Sequence, residues 1–207
     1  MTTNMKPALP ACEDREGYDV ILADVPWPGQ SGERHYDTMS LAEISGMGDA
    51  VKSVAGQNSW LFFWTTKGLF HQAQEIMSDW GYEPLDWITW GKVNRYGMGG
   101  LKSGIRRATE YLLVGTRGTV MPATHIVPDW FPAWVGRHSE KPHHQYAYVD
   151  ALCGMDVRRL ELFARHRQPG WDVWGDDVMV QPTDVSFAEF GYPVPSDFSD
   201  QENGRED

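Results

Sequence analysis

Short apolar runs of β-favouring residues, each cut off by a polar or glycine-containing break, set the strongest limit on how this 207-residue chain can fold. Tyr18-Asp19-Val20-Ile21-Leu22-Ala23 is the first, and it stops at Asp24 and two prolines, Pro26 and Pro28. Ser59 to Trp64 (SWLFFW), Tyr82 to Trp90, Thr109 to Val114 and Arg158 to Ala164 read as further strands, with Trp171 to Trp174 a candidate sixth. Helical signals lie between them. Ser40 with Glu43 has capping-box spacing and opens one or two short helices to Ala55, broken near Gly46-Met47-Gly48. Leu69, Phe70, Ala73, Ile76, Met77 and Trp80 recur at helical spacing and end at Gly81. Pro142 suits the first turn of a helix through Cys153. Gly91 to Ala108 holds five glycines without periodicity and reads as a long loop; Thr119 to Lys141 reads as mostly irregular, and Gly115 and Gly118 as breaks after the fourth strand. Strands alternating with helices predict an α/β domain with a largely parallel sheet flanked by helices. Ligands of such sheets bind at the carboxyl ends of strands, where Asp24 to Trp27 should lie.

Composition narrows the function classes. No apolar run approaches the ~18 residues of a membrane span, and Met1 to Glu16 lacks a signal-peptide layout. Cys12 and Cys153 have no motif spacing, so the expectation is reduced thiols, no structural metal and a cytoplasmic protein. The net charge of −11 looks wrong for a nucleic-acid binder, yet it is unevenly placed. From Asp172 onward ten acids face one base, a net of −9, leaving −2 for the other 171 residues. The implied layout is an N-terminal extension (1–17), a catalytic domain (18–182) and an acidic tail (183–207). Ten tryptophans suit either a Trp-rich core with indoles at its rim or a site that stacks flat rings.

Asp24-Val25-Pro26-Trp27 is the most informative element. The 6-amino lone pair of adenine is delocalised into its ring and is a poor nucleophile. Two acceptors for the amine hydrogens favour a pyramidal nitrogen; the Asp24 carboxylate and the Val25 carbonyl fit that role, with Pro26 fixing the turn. Trp27 is then placed to stack on the base, a contact worth roughly 1–3 kcal/mol. The same four residues also suit an ordinary Asp-x-Pro turn.

The surrounding motifs change that balance. Tyr36-x-Thr38-Met39-Ser40, Leu61-Phe62-Phe63-Trp64-x-Thr66, Trp80-Gly81-Tyr82 and Trp87-x-Thr89-Trp90-x-Lys92 follow in order. Then come Glu110-x-Leu112-Leu113-Val114-Gly115-x-Arg117-Gly118, Ser139-Glu140-Lys141-Pro142, Leu160-Glu161-Leu162-Phe163-Ala164-Arg165 and Gly170-Trp171-x-x-Trp174-Gly175. Over roughly residues 18 to 177 this series resembles the adenine-N6 methyltransferase family named after the seventy-kilodalton subunit of the eukaryotic messenger-RNA methyltransferase. Its bacterial and phage members act mainly on DNA. The resemblance implies a Rossmann-like fold with permuted motif order, S-adenosylmethionine as methyl donor, and no metal. It implies catalysis by Asp24, Val25, Pro26 and Trp27, and cofactor contacts from Asp24, Lys141, Phe163, Arg165, His166 and Asp176. Three positions depart from the family pattern. Val25 replaces its first proline, Asp176 stands where Asn is common, and the segment between Arg165 and Gln168 is short, which bears on His166.

Residues 89 to 118 hold Lys92, Arg95, Lys102, Arg106, Arg107 and Arg117 against Glu110, a net of +5 that suits a clamp on phosphates or a solvated surface loop. Glu110 is expected to accept from a base or to pair with Arg106, and Tyr36 to border the base pocket. Trp130 and Trp134, set among prolines, suit a lid, a partner surface or simple loop packing. Gly97-x-Gly99-Gly100 is not a dinucleotide fingerprint, and His138, His143 and His144 lack a second ligand set. The reading is an S-adenosylmethionine-dependent adenine-N6 methyltransferase of nucleic acid, DNA before RNA, alone, as a homo-oligomer or with a partner subunit. The alternatives are an RNA adenosine methyltransferase and an inactive relative that binds nucleic acid or a partner.

Overall fold

The structure is a computed structural model that describes residue 9 and residues 16–29, 38–93, 101–102, 104–123, 126–136 and 140–175. Tyr36, Arg95, His138, Asp176, Gly97 to Gly100 and the acidic tail lie outside the described residues, as do the side chains of Lys102 and Arg106.

Apolar strands buried on both faces build one seven-stranded sheet. Its order is β7-β3-β6-β2-β1-β8-β9, comprising β1 (Tyr18–Ala23), β2 (Ala55–Thr65), β3 (Glu83–Val93), β6 (Thr109–Arg117), β7 (Trp130–Trp134), β8 (Arg159–Leu162) and β9 (Asp172–Trp174). β1 lies between β2 and β8 and is parallel to both; β9 extends the parallel run, and β7 is parallel to β3. Only β6 is reversed, antiparallel to β2 and to β3. Six of the seven strands therefore end at one edge, and β6 begins there.

Period-two alternation sends the side chains of β1 and β2 into two cores. Ile21, Ala23, Leu61 and Phe63 pack under α1 (Leu41–Ser45), α2 (Gly48–Val54) and α3 (Phe70–Asp79), whereas Val20, Leu22, Phe62 and Trp64 face α4 (His144–Cys153). Ser40 caps α1 in a complete capping box with Glu43. Gly81, at φ +85°, takes the left-handed turn that ends α3. Trp80 is fully buried, packs 5.1 Å from Phe63 and donates its indole N–H to the Ile44 carbonyl at 2.9 Å, tying α1 to the sheet.

Three expectations are corrected. Gly91 to Ala108 is not wholly loop: β3 runs on to Val93, and Leu101–Lys102 (β4) pairs with Ile105–Arg106 (β5) as a small hairpin. The stretch after Thr119 contains β7, which Pro132 disguised; proline is tolerated because β7 is an edge strand of the sheet. Gly115 also lies within β6 rather than after it, since a Cβ there would come 2.5 Å from Met77 Cε of α3.

Truncating Trp80 to Ala should cost about 3–5 kcal/mol in urea unfolding. Trp80→Phe, which keeps an aromatic ring and loses the indole N–H bond while the Ile44 carbonyl retains the Met47 N–H, should cost about 0.5–1.5 kcal/mol for that bond. A Trp80→Phe variant as stable as the wild type would remove the role of the N–H.

Candidate active site at the carboxyl edge of the sheet

Asp24 is the first residue beyond β1, and its N–H reaches back to the Leu162 carbonyl of β8 at 3.5 Å. The turn that follows is internally bonded. The Trp27 N–H donates to the Val25 carbonyl at 2.9 Å across Pro26, and the Met39 N–H donates to the Pro26 carbonyl at 2.9 Å. An amide oxygen has two lone pairs, so the Val25 carbonyl keeps acceptor capacity beyond its bond to Trp27. Trp27 is 5% exposed, sits edge-on to Phe63 at 5.4 Å and donates its indole N–H to the Trp64 carbonyl at 2.9 Å. The indole thus braces the turn from the core side.

A line of alternating charges runs along this edge. Lys141 Nζ lies 2.8 Å from both carboxylate oxygens of Asp24 and 3.5 Å from Glu110, which is paired on its other side with Lys92. Lys92 sits 4.8 Å over the Trp90 ring and Lys141 5.6 Å over that of Trp64. Burial alone would lower the Lys141 pKa, but Asp24 and Glu110 outweigh it and hold the ammonium above its usual range. Burial likewise opposes ionisation of Glu110, yet Lys141 and Lys92 bring its pKa below the usual carboxylate range.

Sequence reasoning assigned no role to Glu161, although an acid between the fully buried Leu160 and Leu162 was a legible signal. The hydroxyl of Tyr146 on α4 donates to Glu161 Oε2 at 2.8 Å. Burial raises the carboxyl to about 8, against the Tyr146 bond and with the help of the Asp24 charge. Gln145, also unforeseen, accepts the Trp64 indole N–H at 2.6 Å. Phe163, next after β8, has φ +61°, a left-handed turn uncommon for a bulky residue and found mostly where function requires it. Its ring packs 5.1 Å from Trp174, and Arg165 beyond it is close enough to oppose the Lys141 charge. His166 acts electrostatically on His143 and is exposed.

The basic window divides. Lys92 turns inward to Glu110 and is part of the site, rather than of a surface clamp. Glu110 is engaged by Lys92 and Lys141, not poised for Arg106 as the charge pattern suggested. Arg117 stands at the far end of β6, where it donates to the Lys52 carbonyl at 3.3 Å. Arg107 is exposed at the carboxyl edge of the sheet; its guanidinium lies 3.6 Å from where a Cβ of Gly68 would be.

A parallel-dominated sheet with an acid-headed turn closing an interior strand and helices on both faces is the Rossmann-like fold of S-adenosylmethionine-dependent methyltransferases. Residues 18–177 match the MT-A70 family, and the chain belongs to it. It is 28% identical over 187 residues to the human N(6)-adenosine-methyltransferase catalytic subunit METTL3, covering 85% of this chain and 31% of that one. It is 29% identical over 206 residues to the Type II methyltransferase M.MunI of Mycoplasma sp, covering 83% of this chain and 81% of the relative. The human N(6)-adenine-specific methyltransferase METTL4 is 29% identical over 190 residues, 82% of this chain and 39% of that one. The chain spans 23% to 31% of the length of the adenosine methyltransferases it matches.

Because Glu161 titrates higher folded than unfolded, the folded state binds the extra proton between about pH 4.5 and 8, and stability falls as pH rises through that window. The Tm of the wild type should therefore drop over this range relative to Glu161→Gln. Parallel Tm profiles would show that Glu161 ionises normally.

Proposed function

We propose that the chain is an S-adenosylmethionine-dependent methyltransferase of the 6-amino group of adenine in DNA. The observation that carries this reading is the Asp24 carboxylate at the end of the interior strand β1, beside a turn that presents the Val25 carbonyl. Family membership and the names of the relatives support the chemistry. The likeness to a Type II methyltransferase over 206 residues supports the choice of DNA over RNA.

The residues present suit the cofactor's amino-acid end. Lys141 offers a cation to a carboxylate, Asp24 and Glu161 offer acceptors to an ammonium group, and Phe163 and Arg165 border the same strand end. When bound, S-adenosylmethionine supplies an electrophilic methyl group on a sulfonium. This chain's own task is to orient the amine. Asp24 and the Val25 carbonyl accept its two hydrogens and so direct the nitrogen lone pair, and Lys141 holds the Asp24 carboxylate in place. The target base is taken from a single strand or flipped from a duplex. Tyr36, Arg95, Arg106 and Arg107 are proposed to contact the nucleic acid and Asp176 the cofactor. The protein acts alone, as a homo-oligomer or with a partner subunit, and its acidic tail is a separate terminal segment.

Asp24→Ala should lower methyl transfer at least 100-fold while cofactor affinity stays within about tenfold. The assay is label transfer from S-adenosylmethionine to DNA and RNA oligonucleotides, with N6-methyladenine identified by mass spectrometry. Undiminished transfer by Asp24→Ala would sink the mechanism. Label on RNA alone would reverse the substrate, and none on any adenine polymer would favour the inactive relative.

A further inference from the structure

The face of β3 and β7 away from α4 carries large aromatic side chains that the proposed chemistry does not use. Along β7, Phe131 and Ala133 are buried, while Trp130 and Trp134 alternate outward and are 51% and 53% exposed. Trp130 is seated on β3: a Cβ at Gly91 would come 2.9 Å from its Nε1, so the absence of a side chain there lets the indole rest on the strand. Thr89 is the register partner of Trp130, which puts Trp87, two residues earlier and 44% exposed, on the same face. Trp87 is braced edge-on by Phe70 at 5.3 Å. Such a surface of mounted indoles is costly to leave in water unless something covers it.

Its position indicates what covers it. β7 ends at the same edge as β1, so Trp134 stands on the edge that carries Asp24. Between them the edge passes the start of β6 and the end of β2, where exposed Arg107 and Lys67 stand. Four strand intervals separate β1 from β7, a span of about 19 Å and thus of a few nucleotides. Acid-headed turn, cations, then flat rings is the order in which a polynucleotide offers its target base, its phosphates and its neighbouring bases. A strand-adding protein is the poorer fit. The Asp129 carbonyl accepts from Thr89 and the Val135 N–H donates to Val93, so odd-numbered residues bond inward and Pro132 occupies the outer edge without an N–H to donate.

We propose that Trp130 and Trp134 form a stacking platform for unpaired bases flanking the target adenine in a single-stranded stretch of the substrate. The proposal rests on the nucleic-acid reading above. The rings hold bases by their π-faces and so tolerate any sequence, while Lys67 and Arg107 track the intervening phosphates.

The test compares wild type, Trp130→Ala/Trp134→Ala and Trp130→Phe/Trp134→Phe, binding a fluorescein-labelled single-stranded DNA and the same DNA with abasic residues flanking one adenine. Loss of the rings should weaken binding roughly tenfold per tryptophan and raise the KM for DNA, with kcat and S-adenosylmethionine affinity unchanged. The Phe pair should recover most of the loss. Abasic flanks should weaken wild-type binding to the level of the Ala pair and affect the Ala pair little, a coupling that a merely structural role would not produce. If wild type binds and methylates DNA but the Ala pair binds it equally well, the platform is overturned and the functional reading stands. If wild type binds no nucleic acid, both fall. A change of oligomeric state in light scattering, with DNA affinity intact, would instead assign the face to a second copy of the chain.

Discussion

One ammonium group holds the carboxyl edge of this sheet together. Lys141 lies between Asp24, 117 residues earlier, and Glu110, and through Glu110 it is linked to Lys92 on β3. Three strands and the segment entering α4 therefore meet around one positive charge. An isolated ion in that position would carry a large desolvation cost; the alternation of signs and the Trp64 and Trp90 rings beneath offset it. The arrangement secures geometry more than stability. It keeps the Asp24 carboxylate pointed, and in the proposed chemistry a pointed acceptor is what a weakly nucleophilic amine requires.

Tryptophans supply the rigidity behind that edge. Trp27, Trp64, Trp80 and Trp90 are buried, and each directs its N–H to a defined acceptor: the Trp64 carbonyl, Gln145, the Ile44 carbonyl and the Ala133 carbonyl. Each ring buries a large apolar area without orphaning a polar atom, so it can be fully inside. Trp87, Trp130 and Trp134 share the sheet but face outward. The core reading of the high tryptophan count thus holds for the first four, and the ring-stacking reading stands as the proposal made for Trp130 and Trp134.

Much of this was legible before any coordinates. Strands at Tyr18, Ser59 and Thr109, the break at Gly46 to Gly48, the end of α3 at Gly81 and Asp24 at a strand end follow from local patterning, because strand and helix periods and caps act within a few residues. β7 escaped detection since Pro132 argues against a strand, and what outweighs it, an edge position beside β3, is a non-local property. Gly115 looked like a break for the same reason, as its close approach to Met77 depends on how α3 lies on the sheet. Lys92 was assigned to a loop, and Glu110 to a base or to Arg106, because net charge over a window does not say which side chains turn inward.

The sequence by itself determined the alternation of elements, the family motifs and the acid-headed turn, all written in contiguous residues. Only the tertiary structure decided which charges meet. The pairing of Lys141 with Asp24, of Glu110 with two lysines, and of Glu161 with Tyr146 depends on strand order and register, which bring together groups far apart in the chain. A charge acquires its partner, and its protonation, from neighbours across the sheet rather than along the backbone.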